Sequence, residues 1–154
     1  MKIEDLINED LILEDLKAKT KDEVIDELSA LLHKLSRITH LDHFVEAIHA
    51  REKESSTGVG FGIAIPHAKS KHVKTPSLVF GRHRDGIDYD AMDGELSQLF
   101  FMIAVPEESS NLHLQTLAKL SRKLMDERFR DQLKAADNKG KLLSLIESID
   151  KEEK

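Results

Sequence analysis

A single α/β domain, with helices outside a central sheet, is the fold class predicted by three features of this 154-residue sequence. Three short apolar runs in the middle of the chain have the length of buried strands. Segments of helical period lie on both sides of them, and helices cover a sheet because each element must bury its apolar face against another. No internal repeat, and no linker rich in Gly, Pro or Ser, divides the chain, whose length suits one hydrophobic core.

The first long helix is predicted over "TKDEVIDELSALLHKLS", where Thr20 and Glu23 have capping-box spacing and Val24, Leu28, Leu31 and Leu35 share a face. A second covers "DHFVEAIHARE", with Phe44, Val45 and Ile48 inward, and ends before the loop cluster Ser55, Ser56, Thr57, Gly58. "GIAIP" reads as a short buried strand ended by Pro66, which cannot donate to a ladder and pushes Ile65 into an extended conformation. Further strands are expected over 77–83 ("SLVFGRH") and 98–106 ("QLFFMIAVP"), the latter apolar on both faces as a central strand would be. Between them "DGIDYDAMDGE" carries two Asp-Gly turn signals. From Leu112 the period returns to 3.6, with Leu117, Leu120 and Leu124 on one face and Leu114 and Met125 beside it. Amphipathic helices over "DERFRDQLKAA" and "KGKLLSLIESI" follow, then a charged tail at 151–154, so residues 1–150 form the predicted domain.

Composition removes several function classes. Apolar residues at 40% and charged residues at 34% suit a globular chain and are too apolar for disorder. A net charge of −6, with no basic face in the sequence, argues against a nucleic-acid partner. The absence of cysteine removes disulfides, Cys-based zinc sites and a thiol nucleophile. The first sixteen residues carry acids every few positions, unlike a signal peptide, and no apolar run reaches about 18 residues, so no membrane insertion and a cytoplasmic location are expected.

The stretch "GFGIAIPHAKS" first suggests a phosphate loop. A Walker loop needs glycine immediately before its Lys-Ser pair, and Ala68 stands there. A dinucleotide fingerprint from Gly58 and Gly60 needs a third glycine at 63, where the residue is Ile63, and the context runs from loop into strand. Both nucleotide readings fail, which leaves the glycines to allow tight turning and close packing.

His67, directly after Pro66, carries the chemistry. A histidine at a strand terminus sits at the mouth of a sheet, and its neutral ring is a nucleophile near pH 7. His113, one turn ahead of Leu117, is expected at the inner edge of its helix's first turn, where free N–H groups favour an anion. Arg51, at the end of the second helix, can supply fixed positive charge to phosphoryl oxygens. Either histidine could equally be a satisfied structural residue and Arg51 a solvated one. Thr57 and Ser56 could bond a phosphoryl group or cap a turn, Gly62 lets the main chain come close, and Lys69 and Ser70 could line the site. His40 and His43 are three apart without an evident third ligand, so no metal is expected.

These residues resemble a known family. "AREKESSTGVGFGIAIPHAKS" looks like the active-site signature of the mannitol/fructose-type enzyme IIA of the bacterial sugar phosphotransferase system, and the likeness continues through "DGIDYDAMDGE", "LFFMIAVP" and "HLQTLAKLSRKL". The resemblance implies a mixed, mainly parallel sheet with helices on both sides. It implies that His67 accepts a phosphoryl group from the phosphohistidine phosphocarrier protein and passes it to a cysteine of a sugar-specific IIB unit, needing neither cofactor nor metal. His113 matches the family's second histidine, which holds the phosphoryl group by hydrogen bonding, and Arg51 the arginine near the active ring. Fructose or mannitol specificity would reside mainly in a membrane IIC unit. A nitrogen-regulatory paralogue, whose phosphorylation state controls binding to regulatory partners, would use the same histidine chemistry. A domain detached from a transcriptional regulator, or a degenerate binding module, is the third reading, and the intact trio argues against degeneration.

Overall fold

The computed structural model describes residues 2–109 and 111–151. After two short 3-10 turns, Ile3–Asp5 and Glu9–Leu11, come β1 (Ile12–Leu13), α1 (Lys21–Lys34), α2 (Leu41–Glu54), β2 (Gly58–Gly60), β3 (Ile63–Ala64), β4 (His67–Ser70), β5 (Ser77–Ile87), β6 (Ser97–Pro106), α3 (Leu112–Leu124), α4 (Glu127–Ala135) and α5 (Lys139–Lys151).

β6 is central. Phe100 through Val105 are fully buried, as its unbroken apolar run predicts. β5 pairs with one edge of β6 antiparallel, while β3 and then β4 line the other edge in parallel, and β1 and β2 extend the sheet outward. Three pairings are parallel and two antiparallel, so the sheet is mixed and mainly parallel. The helices form two layers. Ser29 of α1 reaches Met102 on one face of β6, whereas Arg82, on the opposite face of β5, meets the end of α4. Asp150 of α5 accepts from Ile3 N and Glu4 N at 3.1 Å each, joining the two ends of the domain.

The helical signals act as expected. Thr20 accepts from Glu23 N at 3.2 Å and caps α1, although the Glu23 carboxylate bonds Lys19 N at 2.8 Å rather than closing the box on Thr20. The buried face of α1 is Val24, Ile25, Leu28 and Leu32, turned slightly from the expected stripe, so Leu31 and Leu35 are only partly covered. In α3 the inward residues are Thr116, Leu120 and Leu124; Leu117 is partly buried, while Leu114 and Met125 face outward. Lys151 belongs to α5, so the proposed tail begins inside a helix, and 152–154 lie outside the described residues.

Of the strand expected over 62–66 only Ile63–Ala64 forms, and a second strand, His67–Ser70, follows it. Pro66 has no N–H for the ladder, yet its carbonyl accepts from Ile103 N at 2.9 Å, so the chain stays on β6 across the break and pairing resumes at His67. His67 therefore opens a second strand and is only 8% exposed, rather than standing free at the end of the first. Gly58, read as loop, begins β2. Phe61 and Gly62, both with positive φ (58° and 79°), turn β2 into β3 with the backbone signs of a two-residue type I′ hairpin. Asp85-Gly86 makes a bulge within β5 and no chain reversal, and Tyr89, in the stretch read as turns, is fully buried.

Two substitutions test this packing. A Cβ on Gly58 would stand 2.9 Å from Ala91 Cα and 3.0 Å from Tyr89 O, so Gly58→Ala should cost about 1–3 kcal/mol in chemical denaturation by overpacking. The buried Arg82 guanidinium donates to the carbonyls of Glu14, Leu133, Lys134 and Ala136. Arg82→Ala leaves several of them unsatisfied and should cost about 3 kcal/mol, read as a lower Tm with unchanged secondary structure.

Candidate functional site

The His67 ring is set by the kink that Pro66 imposes. Its Nδ1 lies 2.8 Å from the carbonyl oxygen of Ile65, two residues back. A carbonyl can only accept, so Nδ1 carries the proton and Nε2 keeps its lone pair. Burial pushes the ring below the ordinary imidazole range; the Ile65 hydrogen bond opposes this, and the positive charge of Arg51 adds to it. The group is thus held neutral, in the tautomer that leaves Nε2 as its basic atom.

Strand alternation carries His67 and Lys69 to the face of the sheet covered by α3, and Ala68 and Ser70 to the α2 face. His113, in the first turn of α3, is half-buried and feels His67: burial, then the charge of Lys69, then His67 itself push its ring below the usual range. Its Nδ1 is buried and has no hydrogen-bond partner among the described residues. Arg51, three residues before the end of α2, donates through Nη1 to the Ser55 carbonyl at 2.9 Å, which holds its guanidinium at the turn leading into β2. Cations near a helix C-terminus are favoured by its dipole, and here the same charge reaches His67.

The remaining candidates separate. Thr57 donates its hydroxyl to Glu52 Oε2 and its backbone N–H to Glu52 Oε1 at 3.0 Å, so its side chain is committed inside the protein. Ser56 accepts from Gly58 N at 3.0 Å and donates to Tyr89 O at 2.8 Å, the turn-capping alternative. Ser70 accepts from His72 N at 3.0 Å on the α2 side of β4. Gly62 opposes the Leu99 end of β6 while His67 opposes Ile103, a separation on the order of 15 Å along extended chain. The structure therefore places Arg51 within electrostatic reach of His67, and Lys69 and His67 within reach of His113, and does not bring Gly62 or the Ser70 hydroxyl to the ring.

Sequence reasoning passed over Glu52 and Tyr89. Glu52 is nearly enclosed, with 5% of its side chain exposed, and accepts from Thr57, from the Tyr89 hydroxyl at 3.2 Å and from Lys21 at 3.0 Å. Burial alone would raise its pKa; the Thr57 bonds and Lys21 outweigh that and hold it below the usual carboxylate value. The Tyr89 phenol is pushed far up by burial and by the Glu52 charge, so it remains a donor. Two signals were available: Glu52 directly follows Arg51, and Tyr89 is the one tyrosine in the chain. His72 also supplies the third ring missed beside His40 and His43, stacking on His43 at 4.7 Å, although among the described residues no group is arranged to hold a metal ion.

The arrangement offers a neutral nucleophilic nitrogen, fixed positive charge and an unsatisfied buried ring nitrogen, the parts needed to hold an anionic group during transfer. The chain is 42% identical over 98% of its length to the fructose-specific EIIABC component of Bacillus subtilis, of which it spans only 24%, and 42% identical to the fructose-specific EIIA component of Haloferax volcanii, with 84% of each chain covered. The crystal structure of the nitrogen regulatory protein IIA-Ntr from Neisseria meningitidis shares the fold with a TM-score of 0.88 at 30% identity, covering 94% of this chain and 98% of that one. Among the described residues no helix is long and apolar enough to cross a membrane. Residues 5–149, from the first 3-10 turn into the last turn of α5, match the phosphoenolpyruvate-dependent sugar phosphotransferase system EIIA 2 family, and the chain belongs to that family of phosphotransfer domains.

Proposed function

We propose that this chain is a phosphoryl relay of a sugar phosphotransferase system: His67 takes a phosphoryl group from the phosphohistidine of a phosphocarrier protein and yields it to a cysteine of a fructose- or mannitol-type IIB unit. The observation that carries this reading is the 2.8 Å contact between His67 Nδ1 and Ile65 O, which presents Nε2 as the nucleophile. The Nε2 lone pair attacks phosphorus in line with the donor's P–N bond. One P–N bond forms as the other breaks, the bonding pair returns to the donor ring, and the Nδ1 proton stays in place. The loose transition state spreads charge over three equatorial oxygens, so the protein's contribution is alignment and electrostatics. Arg51 and the His113 ring supply these, and a phosphoryl oxygen could satisfy the unpartnered His113 Nδ1 by accepting its hydrogen bond. The second transfer reverses the first, with a cysteine thiolate as acceptor. The name of the Bacillus relative, an EIIABC component, supports a IIB acceptor and a IIC permease as partners.

A nitrogen-regulatory role is the second reading, and the likeness to the Neisseria protein favours it specifically. It keeps the same phosphorylated histidine and replaces delivery to IIB by binding that depends on phosphorylation state. Incubation of the phosphorylated chain with a fructose-type IIB domain separates them: transfer to the IIB cysteine identifies the relay, and a phosphoryl group retained on His67 identifies the regulator.

Intact-mass spectrometry after incubation with phosphoenolpyruvate, enzyme I and the phosphocarrier should show a gain of one acid-labile phosphoryl group, absent in His67→Ala. A gain that survives in His67→Ala would remove the assignment. His113→Ala should still accept the group but pass it on about a hundredfold more slowly, as the loss of one preorganised donor costs elsewhere. The pH profile follows from the lowered His67 value. Acceptance should hold as pH falls past about 6.5, where an ordinary imidazole is half protonated, and decline only below it. The folded state binds fewer protons than the unfolded one in that window, so stability should be full above 6.5 and fall as pH drops toward the folded value.

A further inference from the structure

Three hydrogen bonds lead from a buried carboxylate to the proposed nucleophile. Glu52 Oε1 accepts from Thr57 N at 3.0 Å; the Thr57 carbonyl accepts from Ile65 N at 2.9 Å; the Ile65 carbonyl accepts from His67 Nδ1 at 2.8 Å. The Thr57 hydroxyl, donating to Glu52 Oε2, and Lys21, at 3.0 Å from Oε1, fix the carboxylate at the head of the chain. Thr57 and Ile65 are 4% and 1% exposed, so water does not compete for the intermediate groups. The N–H and C=O of Thr57, and those of Ile65, belong to different peptide units on either side of each Cα, so the path fixes where the Ile65 carbonyl stands, while the Glu52 charge reaches the ring through space.

We infer that Glu52 is a positioning residue for His67: through Thr57 it holds the Ile65 carbonyl that fixes the Nδ1–H tautomer, and its charge offsets through space the positive charge the ring acquires when Nε2 bonds to phosphorus. This rests on the proposed phosphoryl transfer. When the neutral ring attacks, it keeps its Nδ1 proton and becomes an N-phosphorylated imidazolium. A carboxylate that orients a histidine and offsets its imidazolium is a known device when the two are in direct contact. Here the contact is replaced by two backbone groups, which lets the carboxylate stay on α2 while the ring sits on β4. Arg51 and Glu52 then divide the work from adjacent positions of one helix: Arg51 favours the incoming anion, and Glu52 the cationic ring behind it.

The test is Glu52→Gln, which keeps the size of the side chain and an oxygen to accept from Thr57 N while removing the charge. Two-bond ¹H–¹⁵N correlation across a pH titration reads the protonation of each His67 ring nitrogen without any phosphoryl donor. Single-turnover acceptance from the phosphorylated carrier reads the chemistry. The expected result is a folded variant in which the Nε2–H tautomer becomes populated, the His67 titration moves to lower pH, and acceptance slows about tenfold, the scale on which supporting carboxylates act at other sites. A folded Glu52→Gln with unchanged tautomer, titration and rate would overturn the inference and leave Glu52 as a structural pin. If Glu52→Gln does not fold, Thr57→Val decides: it removes the hydroxyl arm and keeps the backbone chain, and a smaller shift in the same direction supports the inference, whereas none overturns it. A wild-type chain that takes no phosphoryl group would sink the proposed function separately, since the ring-nitrogen signals report the tautomer either way.

Discussion

Strand β6 is bonded along both edges and covered on both faces, and the site follows from how the chain fills its second edge. β3 and β4 share that edge in succession, so the segment must cross the gap between them without leaving β6. Pro66 suits the crossing: it lacks the N–H a ladder would demand, and its carbonyl still bonds Ile103. The kink also lets the His67 ring reach back to the Ile65 carbonyl. A continuous strand would leave that carbonyl in the ladder and the ring without a fixed proton.

Both helical layers converge on this point. α2 ends close to the kink and supplies Arg51 and Glu52, whose opposite charges are both felt by the ring, and Glu52 is tied to the Thr57 backbone as well. α3 lies across the other face and brings His113, whose own charge is suppressed by burial, Lys69 and His67. The fixed positive charge of Arg51 acts on His67 and that of Lys69 on His113, with Glu52 and Glu54 offsetting Arg51 at His67, so the cationic groups do not depend on imidazolium charge.

Glycines make the close approaches possible around the site without joining it. Gly58 passes within van der Waals distance of the 89–91 backbone, which allows Ser56 to bond Tyr89 O and Tyr89 to reach Glu52. Gly62 serves the hairpin turn, where φ is +79°, some distance along the sheet from the ring. The motif is therefore a folding instruction at its glycine end and a chemical one at its histidine end.

The sequence by itself determined the α/β class, the helices whose caps and periods are local and the central apolar strand, and it named His67, His113 and Arg51 as candidates. Each of these is written in neighbouring residues or in a pattern repeated every few positions. Tertiary structure alone decided the features that depend on distant partners. Pro66 interrupts pairing without ending the strand because β6 continues beside it, and His67 is buried because α3 covers it. Ser70 and Lys69 part company because strand alternation sends them to different layers. Glu52 and Tyr89, separated by 37 positions, meet only when α2 and the loop after β5 pack together. A buried carboxylate looks like any surface glutamate in the sequence, since what distinguishes it is the set of donors that the fold gathers around it.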